Sequence, residues 1–140
     1  MATTFRVQRR VEFRDTDMAG IVHFSVFFMY MEQAEYEFLR SLGMSVVGDV
    51  AGQTLSWPRV AAECNYRRAI KFEQMIDIEL SISRIGDKSV AYAYNFFESG
   101  QPIADGSITT VCCEFEHGSR PKSITIPDVV REKLQPFITA

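Results

Sequence analysis

At 140 residues, with 46% hydrophobic and 24% charged side chains, the chain has the length of one globular domain, residues 1–140, able to bury roughly 70% of the surface its unfolded form exposes. A net charge of −3 excludes the basic footprint of a nucleic-acid binder, and the Arg9-Arg10 and Arg67-Arg68 pairs are too short to restore one. Cys64, Cys112 and Cys113 are odd in number and lack C-x-x-C spacing, which excludes a disulfide framework and a cysteine zinc site and points to a reducing cytoplasm.

The amino end carries Arg6, Arg9, Arg10, Glu12 and Arg14 and lacks the apolar run of a secretory signal, so the mature chain is expected to begin here. Phe5, Val7, Val11 and Phe13 alternate with polar residues, the period of a half-buried strand leading to Asp15. From about Ser25, apolar residues recur at Phe27, Phe28, Met31, Ala34, Phe38, Leu39 and Leu42, which predicts a helix capped by Gly43. Glu32, Gln33, Glu37 and Arg40 fall on its other faces. Residues 21–31 are the most apolar stretch, yet fall short of the ~20 residues of a membrane span, so they read as core.

Residues 44–58 contain Gly48, Gly52 and Pro58 without sustained periodicity. They read as a loop with at most one helical turn, a candidate lid. Strands follow at 60–66 and 75–83, the second marked by strict alternation of Ile76, Ile78, Leu80 and Ile82 with polar residues. Residues 89–97 are β-rich, 98–102 supply turn residues, and 103–115 form another strand. Gly118, Pro121 and Pro127 break the tail before a short terminal helix over 129–137, limited by Pro136. One strand, one long apolar helix, then three or four strands on short turns is an α+β order, an antiparallel sheet curling around a single helix. The gap between Ile82 and Val90 leaves no room for the crossover helix of a parallel pair.

The stretch from Asp15 to Phe24 sets two carboxylates beside what should be core, a conflict between local rule and burial. Asp17 precedes the helix by a few residues among Met18, Ala19, Ile21 and Val22, and desolvation there would make its carboxylate a stronger base or nucleophile. The helix start offers outward N–H groups at the positive end of the dipole, suited to a developing oxyanion. On spacing alone, the competing reading stands ahead: Asp15 and Asp17 end a strand and hydrogen-bond their own turn. His23 has no second histidine near it, since His117 falls in a late loop, so a structural role outweighs a catalytic one and metal binding is not expected.

Residues 11–24, read as V-E-F-R-D-T-D-M-A-G-I-V-H-F, resemble the signature of the 4-hydroxybenzoyl-CoA thioesterase family, acyl-CoA thioesterases of hot-dog fold. Residues 64–72 and 111–113 resemble that family's strand and bend and its last long strand, and only the segments before Val7 and after about Pro121 lie outside the likeness. The resemblance implies an antiparallel β-sheet wrapped around one long central α-helix. It implies Asp17 as catalytic carboxylate, acting as nucleophile through an acyl-enzyme anhydride or as general base for water. It also implies the Phe24 backbone N–H as polariser of the thioester carbonyl, Asp15 as a turn residue and Gly20 as the bend glycine beside the substrate. His23 stands at a position that is aromatic in several members, where it would line the pocket or orient water. Lys88 and Ser89 resemble a pair near the coenzyme A phosphates, although Gly86 and Asp87 replace the arginines that precede it in some members.

The implied reaction is hydrolysis of an acyl- or aroyl-CoA, or acyl-carrier-protein, thioester without a cofactor, in a homodimer or a homotetramer built from dimers. Three alternatives stay open. Another hot-dog branch carries its carboxylate on the long helix, a role Glu32 or Glu35 could imitate, although the His-Gly-Gly lead-in of that branch is missing. A hot-dog enoyl-CoA hydratase or dehydratase would use Asp17 with His23, and a non-catalytic acyl-CoA sensor would bind without turnover.

Overall fold

The computed structural model describes residues 3–139. Strand β1 (Phe5–Arg10) pairs antiparallel with β5 (Met75–Ile85), Phe5 opposite Leu80 and Arg10 opposite Met75. The strand stops short of the predicted Phe13. Glu12 and Asp15 exchange hydrogen bonds, the Asp15 N–H to the Glu12 carbonyl at 3.0 Å and the Glu12 N–H to the Asp15 carboxylate at 2.8 Å, and wind Phe13–Asp15 into a 3-10 turn. That winding turns Phe13 outward, 75% exposed.

Helix α1 (Val26–Ser41) buries Phe27, Met31, Ala34, Phe38 and Leu39, the i, i+4, i+7 stripe that the sequence spacing requires. It ends where Gly43 takes φ +78°, the left-handed region that glycine enters without a Cβ penalty. The Gly43 N–H then reaches the Arg40 carbonyl at 3.0 Å and the Met44 N–H the Leu39 carbonyl at 2.9 Å, a Schellman closure.

The five-stranded sheet runs β1-β5-β6-β7-β4, with β4 (Arg59–Tyr66), β6 (Ser89–Glu98) and β7 (Gln101–Val111). Ile76, Ile78, Leu80 and Ile82 of β5 and Tyr92, Tyr94 and Phe96 of β6 line the face that α1 covers, all nearly fully buried. At Gly106 an added Cβ would lie 2.6 Å from the Met31 side chain and 2.8 Å from the Glu63 carbonyl, so this bare position lets the helix lie close against β7. The α+β hot-dog arrangement, one long helix wrapped by antiparallel sheet, is thus present.

Residues 44–58 depart from the expected loop. They hold a hairpin, β2 (Gly48–Val50) and β3 (Gln53–Ser56), turning through Ala51 and Gly52 at positive φ. With β8 (Cys113–Glu114) and β9 (Lys122–Ser123) it forms a second, four-stranded sheet ordered β2-β3-β8-β9. Strands this short carry too few residues to display alternation. The predicted tail helix appears as α2 (Asp128–Leu134), followed by a 3-10 turn at Gln135–Phe137 where Pro136 stands, and Phe137 packs edge-on against Phe38 at 4.7 Å.

All three cysteines are free, and burial pushes their thiols up, that of Cys112 to about 11, the behaviour of small buried hydrophobes. No helix among the described residues is long and apolar enough to cross a membrane.

Candidate active site

Asp17 sits at the head of a tight turn. Its carbonyl accepts the Gly20 N–H at 2.9 Å, its own N–H donates to the Ile21 carbonyl at 3.0 Å, and Gly20 takes φ +80°. One carboxylate oxygen, Oδ1, accepts the Ala19 N–H at 2.8 Å. Among the described residues the other, Oδ2, has no protein donor. The turn therefore fixes the carboxylate through one oxygen and leaves the second for a ligand.

Asp15 is tied into the fold through one carboxylate oxygen and its carbonyl, and it does not line the cleft that Asp17 lines. Its Oδ2 accepts the Glu12 N–H at 2.8 Å and the Tyr30 hydroxyl at 2.9 Å, and its carbonyl accepts the His23 N–H at 2.9 Å. Burial, then the neighbouring Asp15 carboxylate, push the Tyr30 phenol well above its ordinary range, so it stays a donor. Asp15 is the turn residue that the sequence suggested.

Around the start of α1 the backbone donors are used one after another. The His23 N–H goes to Asp15, the Ser25 N–H to His23 Nδ1 at 3.3 Å, and the Val26 N–H to the His23 carbonyl at 2.9 Å. The Phe24 N–H finds no acceptor among the described residues. It stands at the positive end of a 16-residue helix.

Asp17 and Phe24 line one cleft of about 350 Å³, together with Val22, Phe27, Tyr66 and Ile70. Phe27 is edge-on to both Tyr66 and Phe96, each at 5.3 Å, giving the cleft an aromatic floor. Arg67 and Arg68 stand at its side. Arg67 is tied to Asp105 at 2.5 Å, and the Asn65 amide, then Arg67, hold the Asp105 carboxyl below the usual carboxylate range. Arg68 has no ion-pair partner among the described residues.

His23 does not line this cleft. Its Nδ1 lies 2.8 Å from Ser25 Oγ and its ring rests on Phe24 at 4.6 Å, so it caps the helix start. Lys88 and Ser89 lie at the far end of the sheet. Ser89 pairs with Val111, whereas Phe96, which touches Phe27, pairs with Ala104, the partner of Tyr66. Seven residues of strand separate the two ends, about 23 Å at ~3.3 Å per residue. One chain alone does not bring Lys88 and Ser89 to Asp17.

Glu35 is buried, 0% exposed, and bridged by both terminal nitrogens of Arg59. Burial outweighs the Arg59 guanidinium and pushes its carboxyl up to about 7. It lies two helical turns beyond Phe27 and outside the cleft, and Glu32 is exposed. No group of three or more His, Cys, Asp and Glu able to hold a metal occurs among the described residues.

Sequence reasoning missed Tyr66 and the two arginines as cleft residues. The signal for Tyr66 to Arg68 was an aromatic followed by two cations at the end of a strand.

A profile described as the thioesterase-like superfamily matches residues 11–134. The chain belongs to that superfamily. Among its relatives is a protein of Aquifex aeolicus whose name carries a provisional esterase assignment, 30% identical over 131 residues, 94% of this chain and 98% of that one. A 1,4-dihydroxy-2-naphthoyl-CoA hydrolase of Synechococcus elongatus is 25% identical, covering 94% of this chain and 95% of the other. The solved structure of the BH1999 gentisyl-coenzyme A thioesterase superposes with a TM-score of 0.80 at 29% identity, over 92% of this chain and 98% of that one. As a member of the thioesterase-like superfamily, the chain carries its aspartate turn and helix start inside the matched region.

Proposed function

We propose that this protein hydrolyses an acyl- or aroyl-CoA thioester to the free acid and coenzyme A, in the manner of the 4-hydroxybenzoyl-CoA thioesterase family. The observation that carries the reading is a carboxylate oxygen of Asp17 without a donor and a Phe24 N–H without an acceptor on one aromatic-floored cleft. In one route Asp17 attacks the thioester carbon, the oxyanion forms against the Phe24 N–H, the C–S bond breaks to release the coenzyme A thiolate, and water cleaves the resulting anhydride. In the other, Asp17 takes a proton from the attacking water and the same oxyanion collapses with loss of the thiolate. Neither route draws on a cofactor. Phe24, Phe27 and Tyr66 favour an aromatic acyl group, and two relatives named for aromatic CoA thioesters support that choice.

The hydratase alternative needs a histidine beside the carboxylate, and His23 stands outside the cleft lining. A non-catalytic sensor gives no reason for a free N–H and a free carboxylate oxygen at residues of one cleft.

Strand β4 is bonded to β7 on one side only and exposed along residues 60–63, including Val60. An unpaired apolar rim favours pairing with a second copy. Antiparallel pairing of two β4 rims about a two-fold axis would set the Arg59 end of the partner beside Tyr66. Lys88 and Ser89 of the partner subunit would then approach the cleft and could serve the coenzyme A phosphates. The three free cysteines suit the reducing cytoplasm as its location.

The test is free-thiol release from a panel of short, long and aromatic CoA thioesters and the matching acyl-carrier-protein thioesters. Wild-type protein should turn over an aroyl-CoA, and Asp17→Asn should lose activity by orders of magnitude while its unfolding midpoint holds. Near-normal turnover by Asp17→Asn would sink the assignment.

A further inference from the structure

We infer that Tyr66 is a positioning residue for the Phe24 N–H, the group that receives the thioester oxyanion in the reading proposed above, on which this inference rests. The Tyr66 hydroxyl donates to the Phe24 carbonyl at 2.7 Å across 42 residues of sequence. On the other side of Phe24, the His23 N–H is held by the Asp15 carbonyl at 2.9 Å. The His23–Phe24 peptide, which carries the free N–H, is held at its carbonyl by the Val26 N–H at 2.9 Å, and the next peptide is held to the sheet by Tyr66, so the free N–H lies between the aspartate-turn anchor at the His23 N–H and the sheet anchor at the Phe24 carbonyl.

The tether on the sheet side is itself fixed. Tyr66 pairs with Ala104, and the following Arg67 N–H donates to the Ile103 carbonyl at 2.9 Å. Its ring is held against Phe27, which in turn packs on Phe96 of the central strand. The Phe24 carbonyl takes no backbone donor, because the Phe28 N–H goes instead to Ser25 at 3.2 Å. Tyr66 therefore supplies the hydrogen bond that a regular helix turn would have given Phe24.

This geometry assigns the hydroxyl a task distinct from stability. Phe24 is 63% exposed and Tyr66 46%, so water can replace the hydroxyl on the carbonyl at little cost to folding. Water cannot hold the peptide at one angle. An oxyanion donor acts through preorganisation, and a small misplacement of a reacting group lowers rate out of proportion to its effect on binding.

The test is Tyr66→Phe, which keeps the ring on Phe27 and removes only the hydroxyl. With an aroyl-CoA that the wild type hydrolyses, kcat should fall about tenfold or more while KM stays within about twofold and the unfolding midpoint is unchanged. The second readout is the carbonyl stretch of the same thioester bound to the slow Asp17→Asn protein. It should lie below its solution frequency and move back towards it in the Asp17→Asn, Tyr66→Phe double variant. Wild-type kcat in Tyr66→Phe, or an unshifted carbonyl stretch between the single and double variants, overturns the assignment of Tyr66. Absence of thiol release by the wild type across the whole panel overturns the thioesterase reading and this inference with it, an outcome recognisable because it needs no variant.

Discussion

The Tyr30 hydroxyl donates to the Asp15 carboxylate at 2.9 Å, and this bond separates two aspartates that stand two residues apart. Asp15 takes two donors on one oxygen and stands off the cleft, while Asp17 lines the cleft with one oxygen unengaged. Asp15→Ala would leave the buried Tyr30 hydroxyl and the Glu12 N–H without their acceptor, a cost of about 1–3 kcal/mol. Asp17→Asn retains an oxygen for the Ala19 N–H and should cost less than about 0.5 kcal/mol, as surface changes usually do. Urea unfolding of the two variants checks this. Equal losses would show that the two carboxylates share the structural work.

Phe24 separates side chain from backbone in the same way. Its ring is exposed, so Phe24→Ala keeps the N–H and should hold kcat within a few-fold. Phe24→Pro deletes the N–H, and loss of one oxyanion donor lowers kcat by roughly 10²–10³. Proline is tolerated ahead of the first helical turn, and circular dichroism verifies that α1 survives. Matching kcat values for the two variants would remove the Phe24 amide from the mechanism.

The sequence displayed what is periodic or local. The Met31, Ala34, Phe38 stripe and the Ile76 to Ile82 alternation announced α1 and β5, and the glycine in the Asp17 turn announced the bend. The hairpin at residues 48–56 did not show itself, because three- and four-residue strands offer no period and Ala51-Gly52 lacks the Asn or Asp that marks such turns. Phe13 reads as an inward strand residue because alternation cannot register the Glu12 and Asp15 bonds that wind the chain. The Tyr66 contact spans 42 residues, and the remoteness of Lys88 and Ser89 emerges only from strand register. Both belong to tertiary pairing, which local pattern does not encode.

Gly106 tests how closely α1 lies on the sheet. In Gly106→Ala the new methyl meets the flexible Met31 end at 2.6 Å and the Glu63 backbone carbonyl at 2.8 Å. Met31 can swing aside, but the carbonyl is held in the β4 and β7 ladder, where Glu63 pairs with Ser107. Overpacking of this kind costs about 1–3 kcal/mol. Adding Met31→Ala should restore little of the loss, since the backbone clash persists. Full rescue in a thermal unfolding comparison would assign the clash to the side chain alone.

Glu35 gives stability a pH dependence with a defined sign. Burial pushes its folded-state carboxyl from 4.5 up to about 7, against the pull of Arg59. Between those two values the folded chain binds a proton that the unfolded chain has lost, so stability contributed by this group falls as pH rises across the window. Below about pH 4.5 the group is neutral in both states, and above about 7 it is ionised in both, so its slope vanishes outside. Glu35→Gln removes the proton and should flatten the wild-type decline between about pH 5 and 7 relative to the parent curve. Urea unfolding at half-unit pH steps reads the difference. A wild-type minus Glu35→Gln difference that instead grows with pH over this window would mean that Arg59 holds the buried carboxylate ionised and that the pair, rather than burial, governs its titration.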